Sequence, residues 1–193
     1  MSERTTDTRI QLLEAARSCL LTEGYAKLST RKVADAAGVP LSQIHYHFGG
    51  KQGLVLALLD HENTRLIGRQ REMYAADAPL WKRYEQACDF LDDDIASGYV
   101  RVLQEMIAAG WSETKVAQRV LGLLQSWQTT LEEAVSSAQT PLGPLTAEDA
   151  AALVGLSFLG GEAVILLGDP NWTRRVRTAL RSLGRLIRHI EET

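Results

Sequence analysis

Apolar residues recur along this chain at three- and four-residue spacing, the period of a helix half immersed in a core. Leu12, Ala15, Ala16, Cys19 and Leu20 form the first such stripe. They predict a helix from about Thr8, capped by Asp7 or Thr8, to Glu23, with Gly24 as its stop. Leu54, Val55, Leu58 and Leu59 form the early face of a long helix that opens at Lys51 and reaches about Tyr74. Beyond His61 that helix turns polar, as a helix bridging two domains should. Further stripes predict a helix after Pro79, a segment from Gly98 to Ala109, a helix from about Glu113 to Ser137, and a last helix from about Thr173 to Glu191. No alternating strand pattern and no repeat interrupts them. The fold class is all-α.

Two shorter helices lie between the first stripe and the long helix. Ser29 is a good N-cap, and Val33, Ala34 and Ala37 share one face behind it. Gly38 can take the left-handed conformation that ends this helix, with Val39 beneath the turn. Pro40 suits the first position of the second helix, where its missing N–H costs nothing. Ile44 and Phe48 then fall on the inner face, which turns Ser42 and Tyr46 outward and leaves Gln43 and His45 on the flanks. Two short helices about a tight glycine turn, the second presenting planar polar side chains, read as a DNA-binding helix-turn-helix.

The stretch from Glu14 to Leu54 also carries a family likeness, in AARSCLLTEGY, RKVADAAGV and IHYHFGGKQGL, with Phe48, Lys51 and Leu54 in place. It resembles the N-terminal domain of the TetR (tetracycline-repressor) family of bacterial transcriptional regulators. The family usually has Ser or Thr where this chain has Pro40, and Tyr, a phosphate contact, where it has His45. The likeness covers roughly the first third of the chain; the remainder matches in length and helical character. It implies an N-terminal three-helix domain, residues 1–60, that binds DNA. Residues 61–193 would form a helical ligand-binding and dimerisation domain.

Charge changes the picture only slightly. The net charge is −3, but it is unevenly spread. Residues 1–60 carry seven Lys/Arg against six acids, residues 61–160 carry eight against fourteen, and residues 161–193 carry six Arg against four acids. The acidity sits away from the DNA-reading end, which keeps a modest basic footprint. Two cysteines, Cys19 and Cys88, without paired spacing suggest neither a disulfide framework nor a zinc site. The polar opening MSERTTDTRI is not a signal peptide, and a cytoplasmic location is the simple expectation.

Candidate chemistry is all of the binding kind. There is no phosphate loop, nucleophile elbow or metal-spaced His/Cys pair, and the four histidines form no acid–base set, so neither a metal nor a cofactor is expected. Asp92, Asp93 and Asp94 point in three directions and read as a solvated helix end. In the helix-turn-helix, Gln43 can pair bidentately with adenine and Ser42 can contact several bases. Thr30, His45, Tyr46 and Lys51 are phosphate candidates, while Leu41 and His47 complete the surface; partial burial beside Phe48 is the competing reading for Tyr46 and His47. One such helix reads only a few base pairs, so a homodimer on a two-fold operator is expected.

The later helices would supply that dimer and its control. Phe158, Gly161, Ile165, Val176, Leu180, Leu183, Leu186 and Ile187 are the expected interface, in a four-helix arrangement between subunits. Trp81, Tyr84, Phe90, Tyr99, Met106, Trp111 and Trp127 are candidates to line a pocket for an unidentified small-molecule effector. The six arginines of the last helix read as a solvated face. The resulting expectation is a dimeric repressor released from palindromic double-stranded DNA by a ligand. Two other classes compete: a helical enzyme that shares a helix-turn-helix, and a membrane-associated protein using the apolar run Ala150–Gly168. The missing catalytic set counts against the first. Glu162, Ser157 and four glycines count against the second.

Overall fold

A computed structural model describes residues 2–138 and 140–193. Among these residues there are nine α-helices, one 3-10 turn and no strand. The helices are α1 (Ser2–Glu23), α2 (Thr30–Ala37), α3 (Ser42–Phe48), α4 (Lys51–Tyr74), α5 (Leu80–Ser97), α6 (Tyr99–Gly110), α7 (Thr114–Ser136), α8 (Ala147–Ile165) and α9 (Pro170–Glu191), with the 3-10 turn at Tyr25–Lys27. No helix among the described residues is long and apolar enough to cross a membrane.

The chain divides into two compact units. One contains the residues up to Arg65 together with Arg101–Leu121; the other contains Leu66–Val100 and Gly122–Thr193. Helices α4, α6 and α7 each run across the division, so the units are joined by continuous helix. Assignment of Arg101–Leu121 to the N-terminal unit was not visible in the apolar period, which shows a buried face without showing what covers it.

The N-terminal unit is built on side chains withdrawn completely from water: Leu12, Leu13, Ala16 and Leu20 of α1, Val33 of α2, Ile44 of α3 and Leu54 of α4. Each large apolar side chain so buried contributes about 1.5–3 kcal/mol. The chain leaves α2 by a glycine cap. Gly38 lies at φ 66°, its N–H and that of Val39 return to the last turn of α2, and Val39 N–H reaches Ala34 O at 3.1 Å. Helix α3 starts later than the proline suggests. Pro40 lies before the helix rather than at its first position, and its carbonyl accepts from Gln43 N–H at 2.9 Å, with Leu41 as the cap residue. At the other end, a Cβ on Gly53 would run into the carbonyl oxygen of Phe48. Glycine at this place lets the end of α3 lie directly against the first turn of α4.

The second unit closes around Tyr84, Leu91, Ala151, Val154, Leu180 and Ile187, with α9 packed on both α5 and α8. Three starts are set by side-chain caps or their substitutes. Thr146 accepts from Asp149 N–H at 3.1 Å at the head of α8. Asp169 accepts from Trp172 N–H at 2.8 Å, and with Pro170 at the first position it starts α9 at Pro170 instead of Thr173. At α5 the preceding residue is Pro79, which has no capping side chain, and Glu191 at the end of α9 supplies one instead. Its carboxylate accepts from Leu80 N–H at 2.9 Å and Trp81 N–H at 2.8 Å.

Two further expectations need correction. α1 begins at Ser2 rather than Thr8, because its first turns are polar and leave no apolar stripe to read. The triple-aspartate run is no solvated helix end. α5 continues to Ser97, Asp94 is buried against the Arg69 guanidinium, and Asp92 pairs with Arg177 of α9. Arg181 pairs likewise with Asp89, so part of the arginine face of α9 is a seam of charge along α5.

Replacing Gly53 by alanine should lower stability by about 1–3 kcal/mol, the usual cost of forcing extra volume into a packed site. Urea unfolding checks it; an unchanged midpoint would remove the close approach of α3 and α4 from this account.

Candidate nucleic-acid interface

Ile44 is the only side chain of α3 that is fully buried, and it fixes which face of this seven-residue helix looks outward. Ser42, His45 and Tyr46 are exposed, Tyr46 at 74%, and Gln43 is half-exposed beside them. Leu41 stands exposed at the head of the helix. His47 is half-buried between Tyr46 and Phe48, with ring centroids 4.9 and 5.9 Å away. Its buried Nε2 has no hydrogen-bond partner. This is the packed arrangement weighed against a DNA contact for His47, whereas Tyr46 is free to reach outward.

The cations around α3 are partly committed. Lys51 donates to Tyr25 O at 3.0 Å and its ammonium lies 4.3 Å from the Tyr25 ring centroid. Lys32 is paired with Glu23. Arg9 stacks over Phe48 at 5.6 Å. Arg31, on the exposed first turn of α2, makes no ion pair among the described residues. No motif marks Arg31 in the sequence; its exposure at a helix start is the signal that does.

Below this surface lies a polar cluster that no motif announced. Tyr25 donates its hydroxyl to Glu113, Gln52 Nε2 donates to the other oxygen of Glu113 at 3.1 Å, and Glu105 accepts from Tyr25 N–H at 3.1 Å. Arg101 holds Glu105 in turn at 2.7 Å. The loop between α1 and α2 and the first turn of α4 are thereby tied to α6 and the start of α7, inside the N-terminal unit. Burial, then the Glu113 hydrogen bond and charge, push the Tyr25 phenol well above its ordinary value. The cluster ties these elements together, and no group of three or more metal-ligating side chains occurs among the described residues.

A small module with one exposed polar face is what major-groove reading needs. The family model for bacterial regulatory proteins of the tetR family matches residues 12–58. The match makes this N-terminal segment a DNA-binding domain of the tetR type. The chain is a DNA-binding transcriptional regulator. The transcriptional regulator TtgR of Pseudomonas putida is similar, with 29% identity over 86% of this chain and 88% of its own length. The transcriptional repressor AcnR of Corynebacterium glutamicum is 34% identical over 33% of this chain and 34% of its own. A TetR-family transcriptional regulator from Agrobacterium tumefaciens shares the fold, with TM-score 0.78, 16% identity, and 92% and 97% of the two chains covered.

The expected pocket residues are divided between the two units. Met106 and Trp111 belong to the N-terminal unit; Met106 is fully buried and Trp111 is 84% exposed on a turn. Tyr84 is core, with its hydroxyl donated to Leu180 O at 3.0 Å. Phe90 lies under the Arg69 guanidinium, Tyr99 is buried and Trp127 half-buried. Trp81 alone of the set lines an open cleft of about 910 Å³; Tyr84 lines a cavity of about 20 Å³, enough for little more than a water.

The expected dimer residues divide as well. Ile165, Leu180 and Ile187 are buried within the subunit, and Gly161 is packed under Val176, so these are internal contacts of α8 and α9. Phe158 packs edge-on against Tyr84. Leu183 is half-buried, and Leu186 is 53% exposed. Besides Leu186, the apolar side chains left in water on and near these two helices are Leu153 and Leu156 on α8, Leu167 just beyond it, and Trp172 on α9. An all-round apolar helix gives no period by which to find them.

Tyr25→Phe should cost about 1.5–3 kcal/mol, the range for a hydrogen bond to a charged acceptor. Because the folded pKa lies above the unfolded value, the Tyr25 contribution is complete below about pH 10 and fades as pH rises past it. Chemical denaturation at pH 7 and pH 10.5 tests both points. Equal stability of the two proteins at pH 7 would show that the cluster holds nothing.

Proposed function

We propose that this chain is a homodimeric cytoplasmic repressor without enzymatic activity. It reads a two-fold operator through α3 and is released by a small molecule held in the second unit. The outward face of α3, with Gln43, Ser42 and Tyr46 held by buried Ile44, is the observation that carries the reading. Residues 1–60 serve as the DNA-binding domain and 61–193 as the domain of dimerisation and control.

On DNA, Gln43 and Ser42 face base edges, with Leu41 at the entrance of the groove. Tyr46, His45, Thr30 and Arg31 take phosphates. Lys51 acts mainly by fixing the start of α4 to the Tyr25 carbonyl and keeps two N–H donors for a phosphate. His47 supports the helix from its inner side. Repression, as opposed to activation, is supported by the similarity to AcnR, a transcriptional repressor.

The second subunit covers the apolar residues left in water on α8 and α9. Leu153 and Leu156 fall on one face of α8, and Leu183 and Leu186 on one face of α9. Two copies of this pair of helices make a four-helix interface.

Gln43→Ala should cost about 1–3 kcal/mol on the specific operator and almost nothing on random DNA, whereas Arg31→Ala should weaken both alike and reduce the salt slope by about one. Fluorescence anisotropy at several salt concentrations separates the two. An equal loss on both DNAs for Gln43→Ala would remove its base-reading role.

Leu186→Asp should yield a folded monomer that no longer binds the operator, because an unpaired carboxylate cannot be buried cheaply between subunits. Sedimentation equilibrium reads this directly. A mutant dimer as tight as wild type would place the interface elsewhere.

A further inference from the structure

Arg83 is the least explained charge in the molecule. It sits on the first turns of α5 and is only 5% exposed, yet it makes no ion pair among the described residues. Both of its hydrogen bonds leave from Nη1, to Tyr74 O at 2.7 Å and Ser137 Oγ at 3.1 Å. Its buried Nε has no partner. A guanidinium taken out of water costs several kcal/mol unless an opposite charge compensates. Two carbonyl- or hydroxyl-type acceptors on one nitrogen do not supply that charge. The Nε–Nη2 edge, the one that fits both oxygens of a carboxylate, is left over.

The side chain lines the open cleft of about 910 Å³, within the size range of small-molecule sites. The walls combine apolar surface from Tyr74, Leu80, Trp81 and Ala134 with two more cations, Arg71 and Lys82. Arg188 stacks on Trp81 at 4.6 Å. The acids on the lining do not neutralise Arg83. Glu191 is occupied by the Leu80 and Trp81 amides, Glu192 is bonded to Arg188, and Asp77 and Glu133 are exposed.

We propose that this cleft binds a small carboxylate with an apolar body, its two oxygens paired with the Nε–Nη2 edge of Arg83 and its apolar part against Trp81 and Tyr74. The site rests on the reading of the second unit as the ligand-controlled one, and it names the ligand class. It also gives that ligand a lever. Arg83 holds the last carbonyl of α4 and the residue just after α7, and α4 is continuous with the first turn that follows the recognition helix. An anion that reorients the guanidinium acts on the end of that helix.

The test uses the full chain and 2-naphthoate, with the neutral 2-naphthamide as its isostere, followed by calorimetry and by Trp81 emission. Wild type should bind the acid at least tenfold more tightly than the amide. R83Q should bring the acid down to the level of the amide, and R83K, which keeps the charge but loses the fork, should weaken the acid at least fivefold. Should R83Q fail to fold, R83K decides. Equal binding of acid and amide, no saturable binding of the acid, or unchanged acid affinity in R83K overturns the proposal. Operator titration without ligand keeps the two readings apart. A protein that binds operator but shows no acid preference loses only the carboxylate site, and an acid preference in a protein that binds no operator loses only the regulator reading.

Discussion

A helix of seven residues has too few internal hydrogen bonds to hold itself in water, so the direction of α3 is imposed from beneath. Ile44 is the one anchor that α3 sends fully into the core, and Gly53 lets the end of the helix lie against the opening turn of α4. Everything that makes the surface specific follows from that seat. With Ile44 inside, the 100° step per residue sends Ser42, His45 and Tyr46 out and turns His47 back toward Phe48. The same seat is braced from the other side by Tyr25, Gln52 and Glu113, whose polar contacts tie the α1–α2 loop and the start of α4 to α6 and α7. The unit that carries α3 is thus larger than three helices, and part of it comes from the middle of the chain.

The second unit solves a different problem. α9 must serve two partners at once, burying Leu180 and Ile187 against its own core while Leu186 remains in water. Its arginines are arranged to match, with Arg177 and Arg181 facing the aspartates of α5. Exposed pairs of this kind contribute little each, about 0–1 kcal/mol; their effect is to fix the register of α9 on α5. Glu191 extends the same register to the last turn, where it caps the helix that Pro79 cannot. This leaves Arg83 beside a cleft with its buried Nε unpaired.

What could be read in the sequence was whatever depends on neighbours close along the chain. The ends of α4, the Gly38 turn, the Ser29 cap and the Thr146–Asp149 pairing are local events, and their residues announce them. The outward face of α3 was legible for the same reason, from the period of Ile44 and Phe48. Contacts distant in sequence were not. Asp94 looked like one of three solvated acids until Arg69 was placed beside it, and Tyr25 gave no hint of Glu113. Part of the expected interface set lies inside the subunit for a reason of its own. The cleanest apolar stripe on an amphipathic helix belongs first to its own core, so Ile165, Leu180 and Ile187 were spent inside the subunit. The Asp169–Pro170 start of α9 is a local signal too, lying ahead of the apolar stripe that begins at Val176.

The central claim is that two copies of α3, each held by Ile44, read one two-fold DNA site. Hydroxyl-radical footprinting of the purified protein on the DNA upstream of its own coding sequence tests it most directly. The account predicts two protected half-sites related by a dyad, with centres about 34–36 Å apart, one turn of the double helix or a multiple of it. The same footprint should disappear when Gln43 and Tyr46 are both replaced by alanine. Protection without dyad symmetry, or a footprint that survives the double substitution, would contradict it.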